Sequence, residues 1–177
     1  MPRQDLDVHF AKIDALVSEI NAIVPANGGY QSVQFRADLA GLLVVAIAAT
    51  YETCVKEIMS TYATAQHVKF GGFTGRQYRK LNSKVKVSDL KSYCELFGPD
   101  ICSTFRNRLK AKKKRILDSR GVNVEMSYEQ ILTWRHDFAH AWNRNTTIEE
   151  AAMTHRAGKI ILYLFNEAFE QHWQADA

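Results

Sequence analysis

A chain of 177 residues, 46% hydrophobic and 24% charged with a net charge of +4, is long enough to enclose a core and short enough that a single domain over residues 1–177 is expected. Its longest apolar run, "LAGLLVVAIAATY" from Leu39 to Tyr51, is shorter than the roughly 20 residues that cross a bilayer and lies too far from Met1 for a signal peptide, so a soluble cytoplasmic protein with no membrane partner is expected. Cys54, Cys94 and Cys102 are odd in number and form no CxxC pair, which argues against a disulfide framework or a cysteine zinc site and for reduced, mostly buried thiols.

Apolar residues recur at helical spacing and alternating β-branched runs are nearly absent, which predicts an all-α bundle of about five to six helices. A first helix runs from about Gln4 to Val24 and stops at "PANGGY". The second, from about Val33 to Gln66, is apolar almost all round between Leu39 and Ala49, as expected of a long helix at the centre of a bundle on which the rest packs. "HVKFGGFTGRQYRKLNSKVK" then reads as a long mobile loop with at most one helical turn. Ser88 caps a short helix to about Phe97, and Pro99 opens another that ends at Gly121. Ser127 with Gln130 and Thr147 with Glu150 make capping boxes for a fifth helix and a last long one.

Charge is segregated along this order. Fifteen of the 23 lysines and arginines lie between residues 69 and 120, against four of the 19 acids, so the middle of the chain is where a polyanion would bind. The cations singled out for RNA contact are Arg76, Arg79 and Lys80 in the loop and Arg106, Arg108, Lys110, Lys112, Lys113, Lys114 and Arg115 on the following helix. Phe70, Phe73 and Tyr78 are placed to stack single-stranded bases. The alternative for the basic helix is a solvated face held down by Phe105, Leu109, Ile116 and Leu117.

The fifth helix carries "WRHDFAH". On a helical wheel Ile131, Trp134, Phe138 and Trp142 form a core-facing stripe, Arg135 lies at its margin, and His140 lies about 180° from Ile131, sharing the outer face with His136. A histidine able to take and return a proton, beside a permanent cation that grips phosphate, suits attack of a ribose 2′-hydroxyl on its own phosphate without a metal or other cofactor. Asp137 can accept a ring N–H from His140 and fix its tautomer, or stand as a solvated acid. Arg135 and His140 are about 140° and 7.5 Å apart along an ideal helix, so a two-fold dimer that sets each Arg135 near a partner's His140 addresses one phosphate better than a single chain.

Arg135, a polar His136 and His140 resemble the RxxxxH motif of HEPN domains. The central "RADLAGLLVVAIAATYETCVKEIM" is similar to the long second helix of the RiboL-PSP type, in which a glutamate, here Glu52, follows an alanine-rich run. The resemblance implies a dimeric, metal-independent endoribonuclease acting as a toxin or antiviral-defence effector, held in check by an antitoxin or other partner protein. It implies Arg135 and His140 as catalytic with His136 in support. Ala141 departs from the glycine found there in many members. Glu52 is open between orienting Arg135, pairing with it structurally, and facing solvent.

Two other readings compete. A non-catalytic HEPN module would bind RNA or protein and dimerise. A metal-dependent hydrolase would use the i, i+4 pair His136 and His140, with His9, His67, His155 or His172 as a third ligand.

Overall fold

The computed structural model describes residues 1, 3–27, 29–81 and 84–172. Gly28 of the predicted turn and Asn82 and Ser83 of the predicted loop lie outside them. Among the described residues there are eight helices and no strand: α1 (Arg3–Ile23), α2 (Tyr30–Gln66), α3 (Val68–Gln77), α4 (Val87–Phe97), α5 (Pro99–Arg120), α6 (Val124–Ala141), α7 (Ile148–Gly158) and α8 (Ile160–Gln171). The all-α expectation holds. The helix count rises from six to eight because α3 occupies the stretch read as a loop and the last helix is divided after Gly158.

α2 is the axis of the bundle, with α1, α3, α6, α7 and α8 packed along it, while α4 packs on α5 and α5 on α8. Its buried residues, among them Leu43, Val44, Ile47, Tyr51, Val55 and Ile58, recur at the three- and four-residue intervals that keep one side of a helix in contact with neighbours. By length and composition α2 is apolar enough to cross a bilayer, contrary to the estimate from its longest uninterrupted run. Half of its most apolar window is buried inside the bundle.

α3 is helical for a reason that its glycines conceal. Gly71 and Thr74 are buried against α2, and a Cβ on Gly71 would overlap Thr64. The glycine gives closeness to α2 here. His67, extended between α2 and α3, ends the first with its N–H on Ala63 and caps the second by accepting the Lys69 N–H.

Two helix starts differ from expectation. α4 begins two residues early, at Val87 with Lys86 at the cap position and the Asp89 carboxylate accepting the Lys86 N–H at 2.9 Å, so Ser88 is not its cap. α6 begins at Val124, capped by Asn123, which accepts the Glu125 and Met126 N–H groups; Ser127 is already helical and donates to the Asn123 carbonyl. The Thr147 cap of α7 is as expected, accepting the Glu150 N–H. At the division between α7 and α8 the chain runs close to α6, since a Cβ on Gly158 would stand 2.9 Å from Tyr128 Cα. All three cysteines are free and buried.

Candidate functional site

α6 is set in rotation by its buried stripe of Tyr128, Ile131, Trp134 and Phe138. Phe138 sits so closely on α2 that a Cβ at Gly41 would overlap its ring. Tyr128 donates to the Val85 carbonyl at 2.7 Å, and its ring stacks on Tyr51 at 4.8 Å. With that stripe held inward, Arg135 emerges half-buried at its edge and His136 and His140 are exposed. Trp142 does not extend the stripe: it caps α6 in a left-handed conformation (φ 51°), is 65% exposed, and meets the Phe138 ring in a tilted contact with centroids 5.0 Å apart. The chain beyond it is tied back to α2 by Arg144 on Asp38 at 2.6 Å.

Beside this helix lies a cleft of about 240 Å³ lined by Ala48 and Glu52 of α2, by Lys86, and by Leu132, Thr133, Arg135 and His136 of α6. Arg135 has no hydrogen bond or ion pair among the described residues, and Glu52, on the same cleft, makes none with it. The buried Arg135–Glu52 pair is therefore not formed. A guanidinium held part-way out of water without a carboxylate on it retains its full capacity to take an anion. The His136 and His140 rings are 4.6 Å apart, which brings His140 next to the cleft wall. Asp137 accepts from the Asn145 side chain at 3.3 Å and has no bond to His140, so it fastens the loop after α6 and does not set a histidine tautomer.

A family model described as RiboL-PSP-HEPN matches residues 9–171. The chain belongs to that HEPN family. No curated protein and no solved structure matches it.

The HEPN bundle separates the other predicted site residues from this cleft. On α5, Arg106 pairs with Glu95 at 3.1 Å, Arg108 with Glu167 at 2.8 Å and Lys113 with Glu125 at 2.6 Å. The α5 cations line two shallow depressions, one with Arg106, Lys110 and Lys113, the other with Arg108, Lys112 and Arg115, and none lines the cleft. Glu125, which holds Lys113, precedes Arg135 by ten residues, about 15 Å along α6. Lys114 is exposed on the same helix, and Arg76, Arg79 and Lys80 are exposed at and beyond the end of α3. Of the three candidate stacking residues, Phe70 packs on Phe97 and Tyr78 on Tyr93 and Phe97, whereas Phe73 remains 54% exposed.

The histidines considered as third metal ligands are each engaged elsewhere in the HEPN fold: His9 with Glu57 at 2.7 Å, His67 at the α3 cap, His155 with the Tyr51 hydroxyl at 3.1 Å and His172 with Thr104 at 3.0 Å. No group of three or more His, Cys, Asp or Glu residues suited to a metal comes together among the described residues. Lys86, by contrast, belongs to the cleft and carries no sequence signal beyond its charge, because the bonds that place it come from α6.

Proposed function

We propose that this HEPN protein is a metal-independent endoribonuclease that works as a homodimer on cytoplasmic RNA. The observation that carries the reading is the unpaired, half-buried Arg135 in a cleft whose wall continues through His136 to the exposed His140. His140 accepts the proton of the 2′-hydroxyl as that oxygen attacks phosphorus. The bond from phosphorus to the 5′-oxygen then breaks, a proton is returned to the leaving oxygen, and the products end in a 2′,3′-cyclic phosphate and a 5′-hydroxyl. Arg135 stabilises the added charge of the pentavalent phosphorane. His136 supports His140 through their ring contact, while Glu52 shares the cleft with Arg135 without bonding to it.

Pairing of two chains is supported by apolar side chains left exposed beside the motif: Phe35 and Leu42, seven residues apart on α2, and Trp142 at the end of α6. Large apolar groups gathered next to polar chemistry mark interaction surfaces. A role as a toxin or defence effector, with an antitoxin or partner that silences it, accords with an RNA-cleaving activity that a cell must restrain. The test is incubation of cellular RNA with wild type and His140→Ala in excess chelator. Cleavage by the wild type to 2′,3′-cyclic ends, with a loss of roughly 10²–10⁴ in rate for His140→Ala, is the expected result.

A second reading, a non-catalytic HEPN module that binds RNA or protein, is favoured by one observation: Asp137 is taken by Asn145, so no carboxylate orients the His140 ring. A well-folded wild-type dimer that leaves RNA intact would establish it.

A further inference from the structure

Lys86 sits in the connection between α3 and α4, yet the backbone on both sides of it is fastened to α6. On one side Tyr128 donates to the Val85 carbonyl at 2.7 Å; on the other Glu129 accepts the Val87 N–H at 2.8 Å. The Tyr128 hydroxyl is fully buried and its ring is stacked on Tyr51, so this clamp is part of the core. Next along the chain, Lys84 is held through its carbonyl by the Tyr93 hydroxyl at 2.8 Å. Two clamps on consecutive α6 residues, one turn before Leu132 and Thr133, fasten the backbone on either side of Lys86, which lines the cleft with them.

The cleft thus receives two cations from different elements, Arg135 from α6 and Lys86 from the connection, and neither has an ion pair among the described residues. Five other cations are in ion pairs among the described residues, Arg36, Arg106, Arg108, Lys113 and Arg144; what sets Arg135 and Lys86 apart from the remaining unpaired cations is that they share one cleft. Arg135 is a planar fork suited to the phosphorane; Lys86 is a compact, flexible point charge suited to an unreacting phosphate. Single-stranded RNA presents successive phosphates along one backbone, so a second cation beside the first is what a bound strand, as distinct from a lone anion, can use.

We propose that Lys86 is a phosphate-binding residue of the RNA site, holding a phosphate adjacent to the one that Arg135 contacts, so that the cleft takes a ribonucleotide step of single-stranded RNA. This rests on the nuclease reading for the role of Arg135. It relocates the nearest backbone contact from the α5 cations to a residue that α6 itself positions.

The test measures binding of a fluorescent single-stranded oligoribonucleotide of mixed sequence by anisotropy across a salt series, in the His140→Ala background so that the probe stays intact. Adding Lys86→Ala is expected to weaken binding roughly three- to tenfold at low salt and to make the slope of log affinity against log salt shallower by about 0.7. Lys86→Arg is expected to restore both. Equal affinity and equal slope in Lys86→Ala would overturn the proposal while leaving the nuclease reading intact if the wild type cleaves RNA. Weaker binding with an unchanged slope, not rescued by Lys86→Arg, would also overturn it by assigning Lys86 a structural role. Lys86-dependent binding by a chain whose wild type never cleaves RNA would sink the nuclease reading alone, and no RNA binding by the folded protein would sink both.

Discussion

His155 shows how a single residue ties stability to pH. It is fully buried, its Nδ1 lies 3.1 Å from the Tyr51 hydroxyl, and its Nε2 has no partner. Burial, reinforced by the positive charges of Lys159 and Arg156, pushes its pKa from 6.5 down to about 3. Between those values the unfolded chain binds a proton that the folded chain refuses, so stability is fully present above pH 6.5 and is lost as pH falls toward 3. The loss is on the order of 4 kcal/mol at the acid end. Denaturant midpoints measured at pH 7 and pH 4 are expected to differ strongly for the wild type and much less for His155→Gln, which keeps a hydrogen-bonding group without the titration. An equal acid loss in both proteins would assign the effect to carboxylates such as Glu149, whose pKa is lowered by its backbone hydrogen bond and by Arg36.

Among the elements, the contact between α2 and α6 governs the site. Phe138 fills the space that a side chain at Gly41 would need, so Gly41→Ala must displace the ring or the helix. Overpacking of this kind costs about 1–3 kcal/mol, and because α6 also carries Arg135 and His140, RNA cleavage is expected to fall along with the denaturation midpoint. A variant with normal stability and normal cleavage would show that the ring relocates without moving the helix. The long apolar α2, the Pro99-to-Gly121 span of α5 and the inward stripe of α6 were legible in the sequence, since each follows from periodicity and from residues acting within their own helix. The placement of Arg135 at the stripe margin and of His136 and His140 outside it was legible for the same reason. What was hidden depends on partners distant in sequence. The glycines of α3 signify a loop until Thr64 is known to lie against Gly71, and nothing near Lys86 announces Tyr128 and Glu129. The α5 cations looked like an RNA track by density alone, but Glu95, Glu167 and Glu125 pair with three of them at a distance from the motif.

At the scale of the whole molecule, the 140° between Arg135 and His140 separates two arrangements of the proposed enzyme. If each site takes its arginine from one chain and its histidine from the other, mixing unfolded Arg135→Ala and His140→Ala chains and refolding them together gives heterodimers with one intact site. Random pairing then restores about a quarter of wild-type activity. Activity absent from the mixture, with the dimer confirmed by mass, would place arginine and histidine of each site within one chain. Trp142→Asp in the exposed apolar face is expected to lower the mass of the particle toward the 20.1 kDa of one chain and to abolish cleavage together with dimerisation.

The clamps on either side of Lys86 have a thermodynamic consequence of their own. A connection between helices ordinarily keeps its conformational freedom until a ligand orders it, and the affinity is reduced by that ordering. Here the core hydroxyl of Tyr128 and the carboxylate of Glu129 order the backbone at Val85 and Val87 when the chain folds. The entropy of the rim is therefore lost during folding and not on association, so an anion entering the cleft meets a wall already in place, at a stability cost that the protein carries whether or not its site is ever filled.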